Sequence, residues 1–142
     1  MLTEIMLTSY MQRILPRYTT LTPDRTEIEL QPHAGKKYHL YIHIPFCEQL
    51  CPFCSFTRFR FERQLALRYF QALRKEIDAY ATRGFMFTSL YIGGGTPTII
   101  PEELAGLLQQ IRSYWPLEEI SVETNPNHLQ SHILTILRQA GV

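Results

Sequence analysis

Strand-like and helix-like segments alternate along residues 37–142, and this alternation limits the folds that the chain can adopt. The strand-like segments, rich in apolar and β-branched residues, are residues 38–44, 85–95 and 117–124. The helix-like segments, with apolar residues three to four positions apart, are residues 62–84, residues from 101 onward and residues 128–141. The order β-α-β-α-β-α with short connections predicts an α/β fold with parallel strands and crossover helices.

Local signals mark the ends and the faces of these elements. Gly84 suits the C-terminal cap of the first helix, and Pro101 suits the first turn of the second. The second strand is apolar enough to be buried on both of its faces. In the third helix, the predicted buried face consists of Leu129, Ile133, Leu137 and Ala140.

The first part of the chain shows weaker periodicity and several prolines. We interpret residues 1–36 as an N-terminal extension with a short helix near residues 3–14 and a loop from Thr19 to Asp24. Residues 37–142 then form the main domain. Because its third strand would leave an open edge, we expect this domain to be incomplete and the chain to be an N-terminal fragment of a longer protein.

Composition excludes several classes of function. The chain is 45% hydrophobic and 19% charged with a net charge of +1, so it has no electrostatic footprint for nucleic acid or an anionic membrane. No apolar run approaches the roughly 18 residues of a membrane-spanning helix, and the first residues do not resemble a signal peptide. We therefore expect a cytoplasmic protein whose thiols stay reduced.

All three cysteines of the chain, Cys47, Cys51 and Cys54, lie within eight residues, directly after the first strand. The spacing C-x3-C-x2-C wraps a short loop so that three sulfurs converge on one point. A cubane iron–sulfur cluster usually takes four cysteines. Three would leave one iron open, as in a catalytic site. The alternatives are a zinc site completed by a histidine such as His43, and unliganded buried thiols.

Two further motifs follow the second and third strands. The segment GGGTPT, residues 93–98, would allow a ligand to approach the backbone closely, although it could equally be a loop that leads into the second helix. Glu123 ends the third strand, where an acid can bind ribose hydroxyls or can simply be a solvated charge. Since parallel strands end at one edge of a sheet, a single site can gather both motifs and the cysteines.

Taken together, these motifs resemble a known superfamily over roughly residues 38–142. C-x3-C-x2-C with Phe53 before the last cysteine is similar to the signature of radical S-adenosylmethionine (SAM) enzymes. The segments YIHIPFC, GGGTPT and SVETNPN resemble the group that contains oxygen-independent coproporphyrinogen III oxidase and related heme chaperones. The resemblance implies that the chain is the N-terminal half of a partial (β/α)6 radical SAM barrel.

The resemblance also implies cofactors and residue roles. Cys47, Cys51 and Cys54 would hold a 4Fe–4S cluster whose open iron binds SAM. The electron passed into SAM would yield methionine and a 5′-deoxyadenosyl radical. The implied SAM contacts are Tyr41, Phe53 on the adenine side, Gly94, Gly95 and Thr96 at the methionine portion, and Glu123 at the ribose.

Two functions fit this resemblance. One is an oxidoreductase that decarboxylates coproporphyrinogen III or a related tetrapyrrole, with an electron donor such as flavodoxin or ferredoxin. The other is a heme-binding chaperone without oxidase activity. Ser55-Phe56 stands where the oxidase has Gly-Cys and where the chaperones usually have an acid. A basic run, Arg58, Arg60 and Arg63, faces either an anionic porphyrin or solvent at a helix start.

Overall fold

The computed structural model describes residues 10, 13 and 14 and residues 31–142, and Gln31–Val142 form a compact unit. The strands are β1 (Tyr38–Ile44), β2 (Phe46–Cys47), β3 (Phe59–Arg60), β4 (Phe87–Gly94) and β5 (Glu119–Val122). The helices are α1 (Arg63–Thr82), α2 (Pro101–Tyr114) and α3 (Ser131–Gln139), with 3-10 turns at Pro97–Ile99 and Pro126–His128. The predicted helix near residues 3–14 and the predicted Thr19–Asp24 loop lie mostly or wholly outside the described residues.

The main sheet has the predicted parallel topology. Its strand order is β1-β4-β5, and β4 pairs in parallel with both neighbours. In the register, Tyr41 of β1 lies beside Tyr91 of β4, which in turn lies beside Ser121 of β5. Helices connect the successive strands, so the predicted α/β architecture with crossover helices is confirmed.

The hydrophobic core of residues 31–142 lies on one face of this sheet. Ile42 and Ile44 of β1 and Leu90 and Ile92 of β4 are at most 3% exposed. The helices bury their apolar residues against the same cluster, including the whole predicted stripe of α2, which is Leu104, Leu107, Leu108 and Ile111. Burial of one such side chain contributes about 1.5–3 kcal/mol, so this face fixes how the sheet sits against the helices.

The opposite face of the sheet is polar and open in the described part of the chain. Tyr41 and Tyr91 are 56% and 45% exposed, and His39 contacts Ser89 across the strands through a hydrogen bond of 2.5 Å. The prediction that the second strand is buried on both faces is therefore wrong. Side chains alternate along a strand, and the positions of Ser89 and Tyr91 direct polar groups to the face without helices.

The predicted helix ends agree with the structure, except at the third helix. Gly84 follows α1 with φ +81°, a conformation that favours glycine, and Pro101 is the first residue of α2. Leu129, however, is 55% exposed and precedes α3. Its predicted place on the buried face is wrong because the 3-10 turn at Pro126–His128 delays the start of the helix.

A short parallel ladder between β2 and β3 was not predicted. It pairs Phe46 with Phe59 and Cys47 with Arg60, and it closes the loop that carries the cysteines. None of the described helices is long and apolar enough to cross a membrane.

Candidate functional site

The three predicted motifs meet at one edge of the main sheet, beyond the carboxyl ends of its strands. β1 continues through Pro45 into β2 and the cysteine loop, here defined as residues 47–59. β4 ends in the glycine segment, defined as Gly93–Thr96, and β5 is followed directly by Glu123. The parallel topology brings these segments together as predicted, because every strand runs toward the same edge.

The cysteine loop carries three free thiols with different exposure. Cys51 is exposed, whereas Cys47 and Cys54 are partly buried. Within residues 31–142 and the few described positions before them, no group of three Cys, His, Asp or Glu side chains is arranged to hold a metal ion. The thiols therefore share one loop, but the predicted convergence of their sulfurs is not present. A metal–thiolate site takes its final geometry from the metal–sulfur bonds, which explains this difference.

Arg58 ties the cysteine loop together from inside. One guanidinium nitrogen donates to the carbonyl oxygen of Cys54 at 2.8 Å, and the other donates to that of Cys51. Its Nε is buried without a partner among the described residues. Neither sequence interpretation of Arg58 is correct, because its charge is directed into the loop. Arg60 and Arg63 are exposed, which is consistent with either alternative.

His43 supports the same loop from β1. Its Nε2 donates to the carbonyl oxygen of Thr57 at 2.8 Å, and its Nδ1 accepts from the hydroxyl of Tyr41 at 2.9 Å. Both ring nitrogens are thus engaged in hydrogen bonds. This arrangement disfavours the alternative in which His43 completes a zinc site, because a metal ligand needs one nitrogen free.

The glycine segment is bound tightly to the base of the cysteine loop. The amides of Gly95 and Thr96 donate to the carbonyl oxygens of Ile44 and Phe46, each at 2.8 Å. A Cβ at Gly95 would lie 2.7 Å from the Phe46 oxygen and 2.8 Å from Cys47 Sγ. Only glycine therefore fits between the two segments. At Gly95 the missing side chain leaves room for the protein's own backbone and not for a ligand.

These bonds bear on the SAM contacts predicted for the segment. The Gly94 amide donates to Glu123 Oε2 at 3.2 Å, so all three amides of Gly94, Gly95 and Thr96 have partners within the protein. That these residues hold the methionine portion of SAM stays a prediction. The carbonyl oxygens of the segment, and not its amides, would have to make the polar contacts.

Glu123 lies against the glycine segment, and its predicted role at a ribose stays a prediction. Its Oε1 accepts from the hydroxyl of Tyr91 at 2.6 Å, while its Oε2 accepts from the Gly94 amide. The hydrogen bond to Glu123 is the main reason why the pKa of Tyr91 is raised above its usual value. A carboxylate has about four acceptor positions, so each oxygen keeps capacity for a ligand hydroxyl.

The two predicted aromatic contacts differ in their surroundings. Tyr41 stacks on Tyr91 with ring centroids 6.1 Å apart and lies beside the Glu123 network. Phe53 is 89% exposed at the tip of the cysteine loop. Tyr41 is therefore pre-arranged by its neighbours, whereas the position of Phe53 is set by the loop alone.

A cavity of about 200 Å³ adjoins the thiols. It is lined by residues of all three motifs, among them Cys47, Cys51, Thr96, Asn125 and His128. The hydroxyls of Thr98 and Thr124, 2.7 Å apart, join the segments after β4 and β5. Three soft thiol ligands on one loop beside this cavity fit an iron–sulfur cluster, with Cys47, Cys51 and Cys54 as the residues that would hold it.

Comparisons with known proteins agree with this fold and site. The model of the Radical SAM superfamily matches residues 41–142. The chain is 42% identical to the heme chaperone HemW of Bacillus subtilis (strain 168) over 109 residues, which cover 72% of this chain and 29% of the relative. It is 34% identical to the oxygen-independent coproporphyrinogen III oxidase of Bradyrhizobium diazoefficiens in an alignment of 155 positions that covers 94% of this chain and 34% of the relative.

A solved structure is also similar. Coproporphyrinogen III oxidase (HemN) from Escherichia coli, a radical SAM enzyme, superposes with a TM-score of 0.65 at 33% identity, covering 74% of this chain and 26% of that one. The chain therefore belongs to the radical SAM superfamily, whose cofactors are a 4Fe–4S cluster and SAM. Within it, the chain falls in the group of coproporphyrinogen oxidases and heme chaperones, and it spans about a third of the length of its curated relatives.

Sequence reasoning missed Arg58 and Tyr91 as members of the site. The sequence indicates a porphyrin or solvent as the surroundings of Arg58, and nothing in the loop sequence shows that its side chain turns inward. Tyr91 had a usable signal, because it stands two residues before Gly93 and so shares the face of the strand that Gly93 occupies.

Proposed function

We propose that this chain forms part of a radical SAM oxidoreductase that decarboxylates coproporphyrinogen III or a related tetrapyrrole. The observation that carries the proposal is the double attachment of the glycine segment. The Thr96 amide donates to the carbonyl oxygen of Phe46, next to Cys47, at 2.8 Å. The Gly94 amide donates to Glu123 Oε2 at 3.2 Å. One rigid segment would therefore extend from the cluster on the cysteines, where SAM binds the open iron, to Glu123, where its ribose is expected.

In this proposal the protein positions SAM, and the cofactor supplies the reactive chemistry. A bound and reduced 4Fe–4S cluster would supply the electron for the reductive cleavage of SAM. Cys47, Cys51 and Cys54 hold the cluster, while Arg58 holds the carbonyl groups of the cysteine loop. Tyr41, Phe53, the glycine segment and Glu123 orient the methionine, adenine and ribose parts of SAM.

The experiment uses the full-length protein, reconstituted anaerobically with iron and sulfide and supplied with a strong reductant. SAM should yield 5′-deoxyadenosine, and coproporphyrinogen III should be decarboxylated. Cys51→Ala serves as the control, because Cys51 is exposed and its loss should remove the cluster without disturbing the core. Absence of 5′-deoxyadenosine from wild-type protein with a full cluster would contradict the proposal.

A heme chaperone is the second candidate, and two observations favour it. The relative with 42% identity is named a heme chaperone. In addition, Ser55 and Phe56 follow Cys54 where the oxidase has Gly-Cys, which counts against the oxidase even though the acid usual in the chaperones is also absent at this place. For a chaperone we expect heme binding by the full-length protein, detected by its visible absorption, with coproporphyrinogen III left unchanged even when SAM is cleaved.

A further inference from the structure

Tyr91 lies between two predicted SAM-binding residues and contacts both. Its hydroxyl donates to Glu123 Oε1 at 2.6 Å, and its ring stacks on Tyr41 at an interplanar angle of 24°. The strand register puts Tyr91 directly beside Tyr41 on the open face of the sheet. The backbone of two neighbouring strands therefore enforces the contact.

Gly93 makes room for this arrangement. A Cβ at Gly93 would lie 3.0 Å from Cδ and Oε2 of Glu123 and 3.1 Å from Cε1 of Tyr91. The φ of Gly93 is not positive, so glycine is needed here for space and not for its backbone conformation. The first glycine of the GGG run thus accommodates the Tyr91–Glu123 pair rather than a ligand.

We infer that Tyr91 is a positioning residue that fixes the Glu123 carboxylate for the ribose hydroxyls of SAM. The inference rests on the proposed function, since it assigns SAM to Glu123. A carboxylate binds two vicinal hydroxyls only when both oxygens face them. Tyr91 holds Oε1 and the Gly94 amide holds Oε2, so the rotation of the carboxylate is set before a ligand arrives.

The first test measures SAM affinity by anaerobic equilibrium dialysis with the reconstituted full-length protein. Tyr91→Phe keeps the ring on Tyr41 and removes the hydroxyl, and we expect the Kd to rise roughly threefold to tenfold, the range of one hydrogen bond. Iron content should stay unchanged, because Tyr91 does not contact the cysteine loop. Gly93→Ala should weaken SAM binding in the same way by displacing Glu123.

Tyr114→Phe provides a matched control. Tyr114 is also 45% exposed and also donates to a carboxylate, at 2.8 Å to Asp78, but it lies on α2 away from the glycine segment. Its removal should leave the Kd for SAM within about twofold of wild type, since a surface hydrogen bond outside the site changes only local stability.

A double-mutant cycle separates positioning from general destabilisation. In a Glu123→Ala background, Tyr91→Phe should cause no further loss of affinity, because the hydroxyl then has no carboxylate to hold. Unchanged SAM affinity in Tyr91→Phe, together with weaker binding in Glu123→Ala, would overturn the inference while leaving the proposed function intact. Equal losses in both backgrounds would also overturn it.

A second measurement follows the Tyr91–Glu123 pair without any cofactor. The hydrogen bond to Glu123 raises the pKa of Tyr91, so Glu123→Ala should lower it toward the ordinary value. Carbon NMR of labelled tyrosine, with the resonance assigned by Tyr91→Phe, reports this change, and the Tyr114 resonance should not move. An unchanged Tyr91 titration would refute the pair itself. Failure of wild-type protein with a full cluster to bind SAM would instead refute the proposed function and, with it, the ribose assignment.

Discussion

Substitution of Gly95 by alanine tests how closely the glycine segment and the cysteine loop fit together. The added Cβ would lie 2.7 Å from the Phe46 carbonyl oxygen and 2.8 Å from Cys47 Sγ. Ordinary contact begins at 3.4 Å, so the shortfall at the oxygen is 3.4 − 2.7 = 0.7 Å. Cys47 Sγ could move by a rotamer change, but the Phe46 oxygen is a backbone atom, so relief of that contact requires movement of the β2 backbone.

The size of the effect follows from what must move. Phe46 is 1% exposed, and its carbonyl oxygen accepts from the Thr96 amide, so the β2 backbone is held on both sides. Overpacking of this kind costs about 1–3 kcal/mol. The φ of Gly95 is not positive, so no backbone strain adds to this value. Displacement of β2 should also move Cys47 and reduce iron binding.

The assay combines urea unfolding of the apo protein with iron analysis after anaerobic reconstitution. Gly106→Ala in α2 is the control, because its Cβ would meet only the guanidinium end of Arg74 from α1, a partly exposed group that pairs with Glu103 and can shift without moving backbone. Alanine is favoured over glycine in a helix by about 1 kcal/mol, so this variant should be equally or more stable and should bind iron normally. Wild-type stability and wild-type iron content in Gly95→Ala would refute the packing argument.

Three other predictions concern the cluster, the core and pH. Cys51→Ala should lose iron binding while the apo protein unfolds as wild type does, since Cys51 is exposed; retained stoichiometric iron would contradict the ligand assignment. Trp115→Phe should lower the free energy of unfolding by about 1–3 kcal/mol in urea titrations, because the buried carbonyl of Phe85 loses its donor. Burial is the main cause of the raised pKa of Tyr69, because it disfavours the ionised form in the folded protein. The contribution of the neutral side chain to stability is therefore complete below about pH 10 and is lost as the pH rises through the raised pKa. Unfolding free energies of wild type should therefore fall more steeply in alkali than those of Tyr69→Phe, and parallel curves would show that burial does not shift this group.

The sequence alone determined the element order and the edge at which the motifs meet. Helical periodicity gave the complete buried stripe of α2, and Gly84 and Pro101 marked helix ends correctly. These predictions succeed because apolar spacing and glycine or proline conformation are local properties. Parallel topology then follows from short β-α-β connections, so the convergence of the cysteines, GGGTPT and Glu123 needed no tertiary information.

Only the tertiary structure decided which side chains and amides engage each other within that edge. The sequence predicted a glycine segment whose backbone a ligand can approach closely, whereas the amides of Gly95 and Thr96 donate to the carbonyl oxygens of Ile44 and Phe46. It predicted that the Arg58 side chain faces a porphyrin or solvent, whereas its guanidinium donates to two carbonyl oxygens of the cysteine loop. Such contacts depend on the register of β1 against β4 and on the β2–β3 ladder, which bring distant residues within hydrogen-bond distance. Residue types and spacing thus define the chemistry available at the edge, while strand register decides which groups are already paired and which remain for a ligand.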